Sequence, residues 1–129
     1  MLRTFIFKYT WLAVALLVLL LSIMPVPAQQ GASWVQTFQV DKIFHYLSHA
    51  IIILAYFSPK ILVKQSFPNN KTLLIAFLAL LMYGVAIEFI QKYAIINRHF
   101  DVLDIAANTL GDFTGIGITK YMSTRTSTK

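Results

Sequence analysis

Apolar residues fall in four long stretches, and the polar residues between them are gathered into short connectors. The first stretch, Tyr9 to Met24, is preceded by Arg3 and Lys8 and followed by the helix breakers Pro25 and Pro27. It predicts a span over about 9–27. A polar connector from 28 to 40 follows, in which Trp34 and Phe38 suit headgroup depth as interfacial anchors. The second span is expected over about 42–62, with Pro59 marking either a kink or the end. Lys60, Lys64, Pro68, Asn69, Asn70 and Lys71 then lead into the third span, about 73–93, which carries the clearest helical signal. After a turn around Asn97 to Phe100, the fourth span, about 101–121, is rich in small residues, and its Ser/Thr/Lys tail is expected to fray. No internal repeat or low-complexity tract interrupts the pattern.

A helix crosses the hydrocarbon core in roughly 20 residues, so four spans consume most of 129 residues and leave room for one domain over 1–129. Hydrophobic residues make up 57% and charged residues 12%, too little polar surface to cover a soluble globule. The expected fold is therefore all-α, an integral membrane four-helix bundle. Its first partner is the lipid bilayer. A formal charge of +6 raises the question of nucleic acid, but the basic residues are scattered singly and form no stripe or RNA-binding motif, so no nucleic-acid partner is expected. The absence of cysteine removes disulfides, cysteine-ligated zinc and a thiol nucleophile.

Orientation follows from the eleven basic residues. With the N-terminus inside, Arg3, Lys8, Lys60, Lys64, Lys71, Lys120, Arg125 and Lys129 are cytoplasmic, and Lys42, Lys92 and Arg98 lie outside. Eight against three gives an N-in, C-in, multi-pass protein of the cytoplasmic (inner) membrane. Val26-Pro27-Ala28 also has the form of a signal-peptide cleavage site. Cleavage there would leave three spans with the same outer face. Pro27 and the need of the later spans for a packing partner favour an uncleaved first span.

All five acids, Asp41, Glu88, Asp101, Asp104 and Asp112, then fall at or inside the outer halves of spans. A carboxylate at the centre of a membrane helix costs on the order of 2.5–3.5 kcal/mol, so these groups are expected to face protein or water. Helical spacing places Asp41, His45 and Ser48 or His49 on one stripe of the second span, and Glu88 with Gln91 near the outer end of the third. Asp101, Asp104, Asn108, Gly111 or Asp112, and Gly115 share one side of the fourth. Turning the three stripes inward makes one cluster with Lys42 and Arg98 as counter-charges.

Each of these residues has a chemical reading and a packing one. His45 with Asp41 suits general acid/base work, a metal, or an interhelical hydrogen bond that fixes register. Packing is the first reading for His49. Glu88, deep in an apolar run, suits a functional ionisable group. Asp112 suits a proton-bearing site or a neutral acid bonded to a neighbour. Arg98 and Asp101 suit an ion pair pinning the outer loop, and His99 suits a loop residue. Gly111 and Gly115, four apart, suit close helix packing.

Asp41-Lys42-x-x-His45, Glu88-x-x-Gln91 and Arg98-x-x-Asp101-x-x-Asp104-x-x-x-Asn108-x-x-Gly111 together resemble the signature of the VanZ-like membrane proteins, named after an accessory protein of teicoplanin resistance. The resemblance covers about residues 38–117, and Leu-Ser-Ile-Met-Pro at 21–25 is similar to the end of that family's first span. It implies a four-helix protein of the bacterial cell envelope, linked in some members to lipoglycopeptide susceptibility, and it supplies no enzyme activity.

The leading reading is a non-enzymatic or not demonstrably enzymatic envelope protein whose polar cluster (Asp41, Lys42, His45, Glu88, Gln91, Arg98, Asp101, Asp104 and Asn108) binds a cell-wall precursor or a lipid-linked ligand. A membrane-embedded hydrolase or transferase is the alternative, with His45 or Glu88 as base and Arg98 with Lys42 holding an anionic head group. Against it, the chain has no Gly-x-Ser-x-Gly, no His-Glu-x-x-His and no phosphate-cradling glycine loop. A third reading is an ion- or proton-coupled transporter subunit built on Asp112, for which four spans would require a homo-oligomer. The sequence points to no cofactor, and no metal is assigned.

Overall fold

The computed structural model describes residues 2–24, 40–62, 68–95 and 99–127, with side chains described for 9–24, 40–62, 68–95 and 99–125. Those residues form four helices and no strand: α1 (Leu2–Ile23), α2 (Val40–Leu62), α3 (Asn70–Ala94) and α4 (Val102–Ser127). The breakers Pro25 and Pro27, the cleavage-like 26–28 segment, Trp34, Phe38, Lys64, Asn97, Arg98 and Lys129 lie outside the described residues.

The helices match the apolar stretches, with three differences. Helix α1 begins seven residues before the expected span and stops at Ile23. Helix α2 runs through Pro59 to Leu62 without ending there. The C-terminal tail expected to fray is helical to Ser127. Helix α3 starts where the Asn69 side chain accepts a 2.8 Å hydrogen bond from the Thr72 N–H, satisfying one of the orphan donors of a helix N-terminus.

The bundle alternates in direction. Helices α2 and α4 run parallel and form the tightest pair, because α4 presents glycines to the α2 backbone. A Cβ on Gly111 would overlap the Tyr46 carbonyl oxygen, and one on Gly115 would stand 2.8 Å from Ile53 Cβ and 3.0 Å from the Ala50 carbonyl oxygen. Helix α3 crosses antiparallel to α4, with Phe77 stacked on Phe113 at 5.0 Å between ring centroids. Helix α1 is held to α3 by two bonds to its backbone, Tyr83 Oη to the Ala15 carbonyl at 2.5 Å and Gln91 Nε2 to the Ser22 carbonyl at 2.8 Å.

Apolar packing fills one end and the middle. Ile53, Phe57, Ile61 and Leu73 form one buried cluster, and Val18, Ile52 and Ile87 form another under α1. Large apolar side chains also cover the outside, among them Leu16, Leu17, Leu74, Met82, Leu110 and Phe113, each at least half exposed. Helices α2 and α3 are each long and apolar enough to cross a membrane, and Tyr9–Ile23 is a shorter apolar stretch.

Candidate functional site

The buried ionisable residues collect toward the end formed by the N-termini of α2 and α4 and the C-terminus of α3, while Thr119 is buried farther along α4. Asp101, just ahead of α4, organises this end. Its Oδ1 accepts from the Leu103 N–H at 2.8 Å, which caps the helix. Its Oδ2 accepts from Lys42 Nζ at 2.9 Å. Its own backbone N–H donates to Glu88 Oε2 at 3.1 Å. One residue thus closes α4 and ties it to both α2 and α3. The Lys42 ammonium, followed by the Leu103 N–H, holds the Asp101 carboxyl below the usual carboxylate range.

Lys42 is shared by three carboxylates. Besides Asp101, Nζ lies 3.3 Å from Asp104 Oδ1 and 3.4 Å from Asp41 Oδ2. Side-chain exposure falls from 46% at Asp41 and 38% at Asp101 to 19% at Lys42 and 5% at Asp104, so the first two form a rim and Asp104 lies beneath it. The expected Arg98–Asp101 pair cannot be placed, since Arg98 is outside the described residues, and Asp101 is engaged by Lys42. His99 is an exposed loop residue.

Below the rim, α2, α3 and α4 each contribute one group to a buried triad. His45 Nε2 lies 3.9 Å from Glu88 Oε1 and 3.8 Å from Asp104 Oδ2. On the other side of the ring, Nδ1 meets Asn108 Oδ1 at 3.2 Å. A donor atom from each of His45, Glu88 and Asp104 lies within 4.8 Å of the others, a spacing that suits a metal ion. Asp41, Asp101 and Asp104 also meet that criterion, but Lys42 Nζ bonds or pairs with all three.

One turn deeper, His49 Nδ1 meets Asp112 Oδ1 at 3.0 Å, both side chains being at most 1% exposed. His49 Nε2, Asp112 Oδ2 and Asn108 Nδ2 are buried without a hydrogen-bond partner. Gly84 of α3 makes room beside them, since a Cβ there would be 2.7 Å from Asn108 Nδ2 and 3.3 Å from His49 Nε2. The polar rungs stop at this level. Gly115 packs against Ala50 and Ile53, and the Ile53–Phe57–Ile61–Leu73 cluster fills the bundle beyond.

The structure therefore brings together Asp41, Lys42, His45, Glu88, Asp101, Asp104 and Asn108, as the stripes predict. Gln91 is different: although three residues from Glu88, it turns to the α1 backbone at Ser22. Ser48 bonds back to the Phe44 and His45 carbonyls of its own helix. Spacing leaves His49 and Asp112 as alternatives to Ser48 and Gly111 on the stripes; the structure pairs them with each other, and Gly84, which the spacing does not single out, makes room beside them. The shared offset of 63 residues between His45 and Asn108 and between His49 and Asp112 is the signal that pairs them.

A separate cavity of about 370 Å³ lies toward the other end, between α1, α2 and α3, walled by Trp11, Ile52, Tyr56, Ile75, Leu80 and Tyr83 among others. Its lining is apolar and it touches none of the charged cluster.

No curated protein and no solved structure matches the chain. A family model does: that of VanZ/LLP1 matches residues 2–123, from the start of α1 through most of α4 and across every polar rung described above. With nearly its whole length matched, the chain belongs to the VanZ/LLP1 family.

Proposed function

We propose that the chain is a single-domain integral membrane protein of the bacterial cell envelope. It lies in the inner membrane with four spans, N-in and C-in. Its polar end faces outward and binds a polar group of a cell-wall precursor or lipid-linked molecule. One observation carries this reading: α2, α3 and α4 converge six ionisable groups (Asp41, Lys42, His45, Glu88, Asp101 and Asp104) at one end of a bundle whose outer surface is apolar. The Lys60, Lys71, Lys120 and Arg125 positions belong to the opposite end, as the positive-inside bias requires.

The chemistry of the rim favours a ligand rich in N–H, ammonium or hydroxyl donors. Its exposed groups include the carboxylates of Asp41 and Asp101, and Lys42 is already shared by these two and Asp104. This weakens the share of Lys42 in the hydrolase reading, in which Arg98 with Lys42 holds an anionic head group. Beyond His49 and Asp112 the apolar cluster of Ile53, Phe57, Ile61 and Leu73 follows, which weakens the transporter reading. Involvement in lipoglycopeptide susceptibility is part of the proposal and follows from the family resemblance.

Reporter fusions at the α3–α4 connection, near His99, test the orientation: an extracytoplasmic reporter is expected, and a cytoplasmic one would sink the reading. Glu88→Gln and Asp104→Asn strains, compared with a deletion, test the function. Lipoglycopeptide susceptibility and lipid-intermediate pools should move toward the deletion phenotype.

A further inference from the structure

We propose that the apolar cavity between α1, α2 and α3 holds one acyl chain of an anionic phospholipid, whose headgroup is met by Lys60 and Lys71. The proposal goes beyond the reading above and takes from it only the placement in a membrane. Shape, exposure and charge carry it.

Shape follows from the sequence of α3. Thr72, Ile75, Ala76, Ala79 and Tyr83 recur at three- and four-residue spacing, so they line the cavity as one stripe of the helix. The two alanines in the middle of that stripe leave a recess in front of α1 and α2. From Thr72 to Tyr83, at about 1.5 Å rise per residue, the recess is roughly 16 Å long. A volume of about 370 Å³ over that length accommodates one extended alkyl chain. At its deep end Tyr83 bridges to α1 through the Ala15 carbonyl, both residues being part of the wall.

Exposure decides what fills it. Ile75 is 57% exposed and Ala79 is exposed as well, so the cavity opens sideways through the apolar outer surface of the bundle. Thr72 and Tyr83, two of its polar lining residues, already commit their hydroxyls to Asn69 and to the Ala15 carbonyl. Such a cavity gives water too few hydrogen-bond partners to hold it. In a bilayer its occupant is a hydrocarbon chain entering from the side.

Charge selects the lipid. The other end of the cavity lies beside Lys60, whose Nζ stands 3.5 Å from the centroid of the Tyr56 ring that lines it. Lys71 is exposed one residue before Thr72. The chain's five acids, Asp41, Glu88, Asp101, Asp104 and Asp112, all lie between the rim and the level of His49. No acidic side chain is left to neutralise the lysines at the cavity, and a phosphate headgroup supplies the missing charge.

A full-length Trp34→Phe protein keeps Trp11, on the cavity wall, as its sole tryptophan. It is reconstituted into phosphatidylcholine vesicles in which an increasing fraction of lipid carries brominated acyl chains, on either phosphatidylglycerol or phosphatidylcholine, and quenching of Trp11 is measured. Each lysine near the surface favours anionic lipid by about fivefold. Brominated phosphatidylglycerol should therefore reach half-maximal quenching at a fraction at least about fivefold, and up to about thirtyfold, below that of brominated phosphatidylcholine. Lys60→Gln should lower that preference several-fold, and Lys60→Gln with Lys71→Gln should abolish it. Lys120→Gln, on α4 and away from the cavity, should leave it unchanged. Ala79→Phe, which fills the recess, should leave only the non-saturating quenching of the surrounding lipid. Equal quenching by the two brominated lipids overturns the proposal. So does the absence of quenching by either, the result expected of a second copy of the chain covering the cavity, and so does a preference that Lys60→Gln and Lys120→Gln reduce alike. The vesicles carry the test lipid in both leaflets, so a cytoplasmic reporter near His99 leaves the lipid site standing, and equal quenching leaves the outward polar cluster standing.

Discussion

Gly111 is where a single methyl group should do most damage. Its Cβ would overlap the Tyr46 carbonyl oxygen and lie 3.0 Å from the Tyr46 carbonyl carbon and 3.1 Å from His49 Cβ. Two of these neighbours are backbone atoms and cannot swing aside. Restoring ordinary contacts of about 3.5 Å or more requires α2 and α4 to part by roughly 1 Å. That shift would stretch the His45–Asn108 contact of 3.2 Å and the His49–Asp112 contact of 3.0 Å to the edge of bonding range or past it. Overpacking costs about 1–3 kcal/mol, and each interhelical hydrogen bond in a membrane protein is worth about 0.6 kcal/mol, up to 1.7. Alanine returns at most about 1 kcal/mol of helix propensity. The expected net loss is about 2–3 kcal/mol.

Gly115→Ala should cost less, about 1 kcal/mol, because its tightest neighbour, Ile53 Cβ at 2.8 Å, is a side-chain atom. Gly117→Ala has nothing within 4 Å of the new Cβ and should be neutral or stabilising by up to about 1 kcal/mol. Reversible unfolding in mixed micelles, followed by loss of helical circular dichroism, ranks the three. A Gly111→Ala protein as stable as wild type, or a Gly117→Ala protein that is the weakest, would refute glycine-mediated packing of α2 on α4.

Three further perturbations probe the polar end by the same unfolding assay. Asp101→Asn keeps an oxygen for the Leu103 N–H and Asp101→Ala does not, so the alanine variant should be less stable than the asparagine one by about 1 kcal/mol; equal stabilities would mean that this side chain contributes nothing as a cap. Lys42→Met leaves Asp101 and Asp104 without their shared ammonium and should destabilise by at least about 2 kcal/mol, more than Asp41→Asn, whose carboxylate is the most exposed of the three. His49→Leu and Asp112→Leu should each cost about 1–3 kcal/mol by stranding the other's buried polar atom, and the double variant should cost less than their sum; strict additivity would mean that the pair is not coupled.

The stripes were legible because two rules suffice for them: charged groups are costly in hydrocarbon, and residues three or four apart share a helix face. Those rules put Asp41, His45, Glu88, Asp101, Asp104 and Asn108 together. They do not say which neighbour a helix face meets. Gln91 shares Glu88's face by spacing, yet it reaches α1 because Ser22 sits level with it. His49 lies one position off the main stripe, and only the parallel, glycine-mediated approach of α4 turns it toward Asp112. Gly84 carried a sign of that approach, a glycine inside an apolar run, whose meaning depends on knowing that Asn108 and His49 come from two other helices. Asp101's backbone bond to Glu88 has no side-chain signature at all.

The α2–α4 interface serves packing and chemistry with the same residues, and this dictates how the site should be dissected. On the proposed membrane placement, helices gain nothing in lipid from burying apolar faces against each other, so a pair must be held by close backbone contact and polar rungs. Here the contact comes from Gly111 and Gly115, and the rungs are Lys42–Asp101/Asp104, His45–Asn108 and His49–Asp112. Changing a rung therefore alters the register of both helices as well as any ligand contact. Glu88 is placed otherwise. It sits on α3, and its one described bond to α4 is to a backbone N–H, which an amide oxygen can also accept. Glu88→Gln keeps an acceptor for that N–H while removing a charge from the triad. Loss of function in a Glu88→Gln protein of wild-type stability would speak for chemistry at the site, where the same loss in an Asn108 or His49 variant would speak equally for packing.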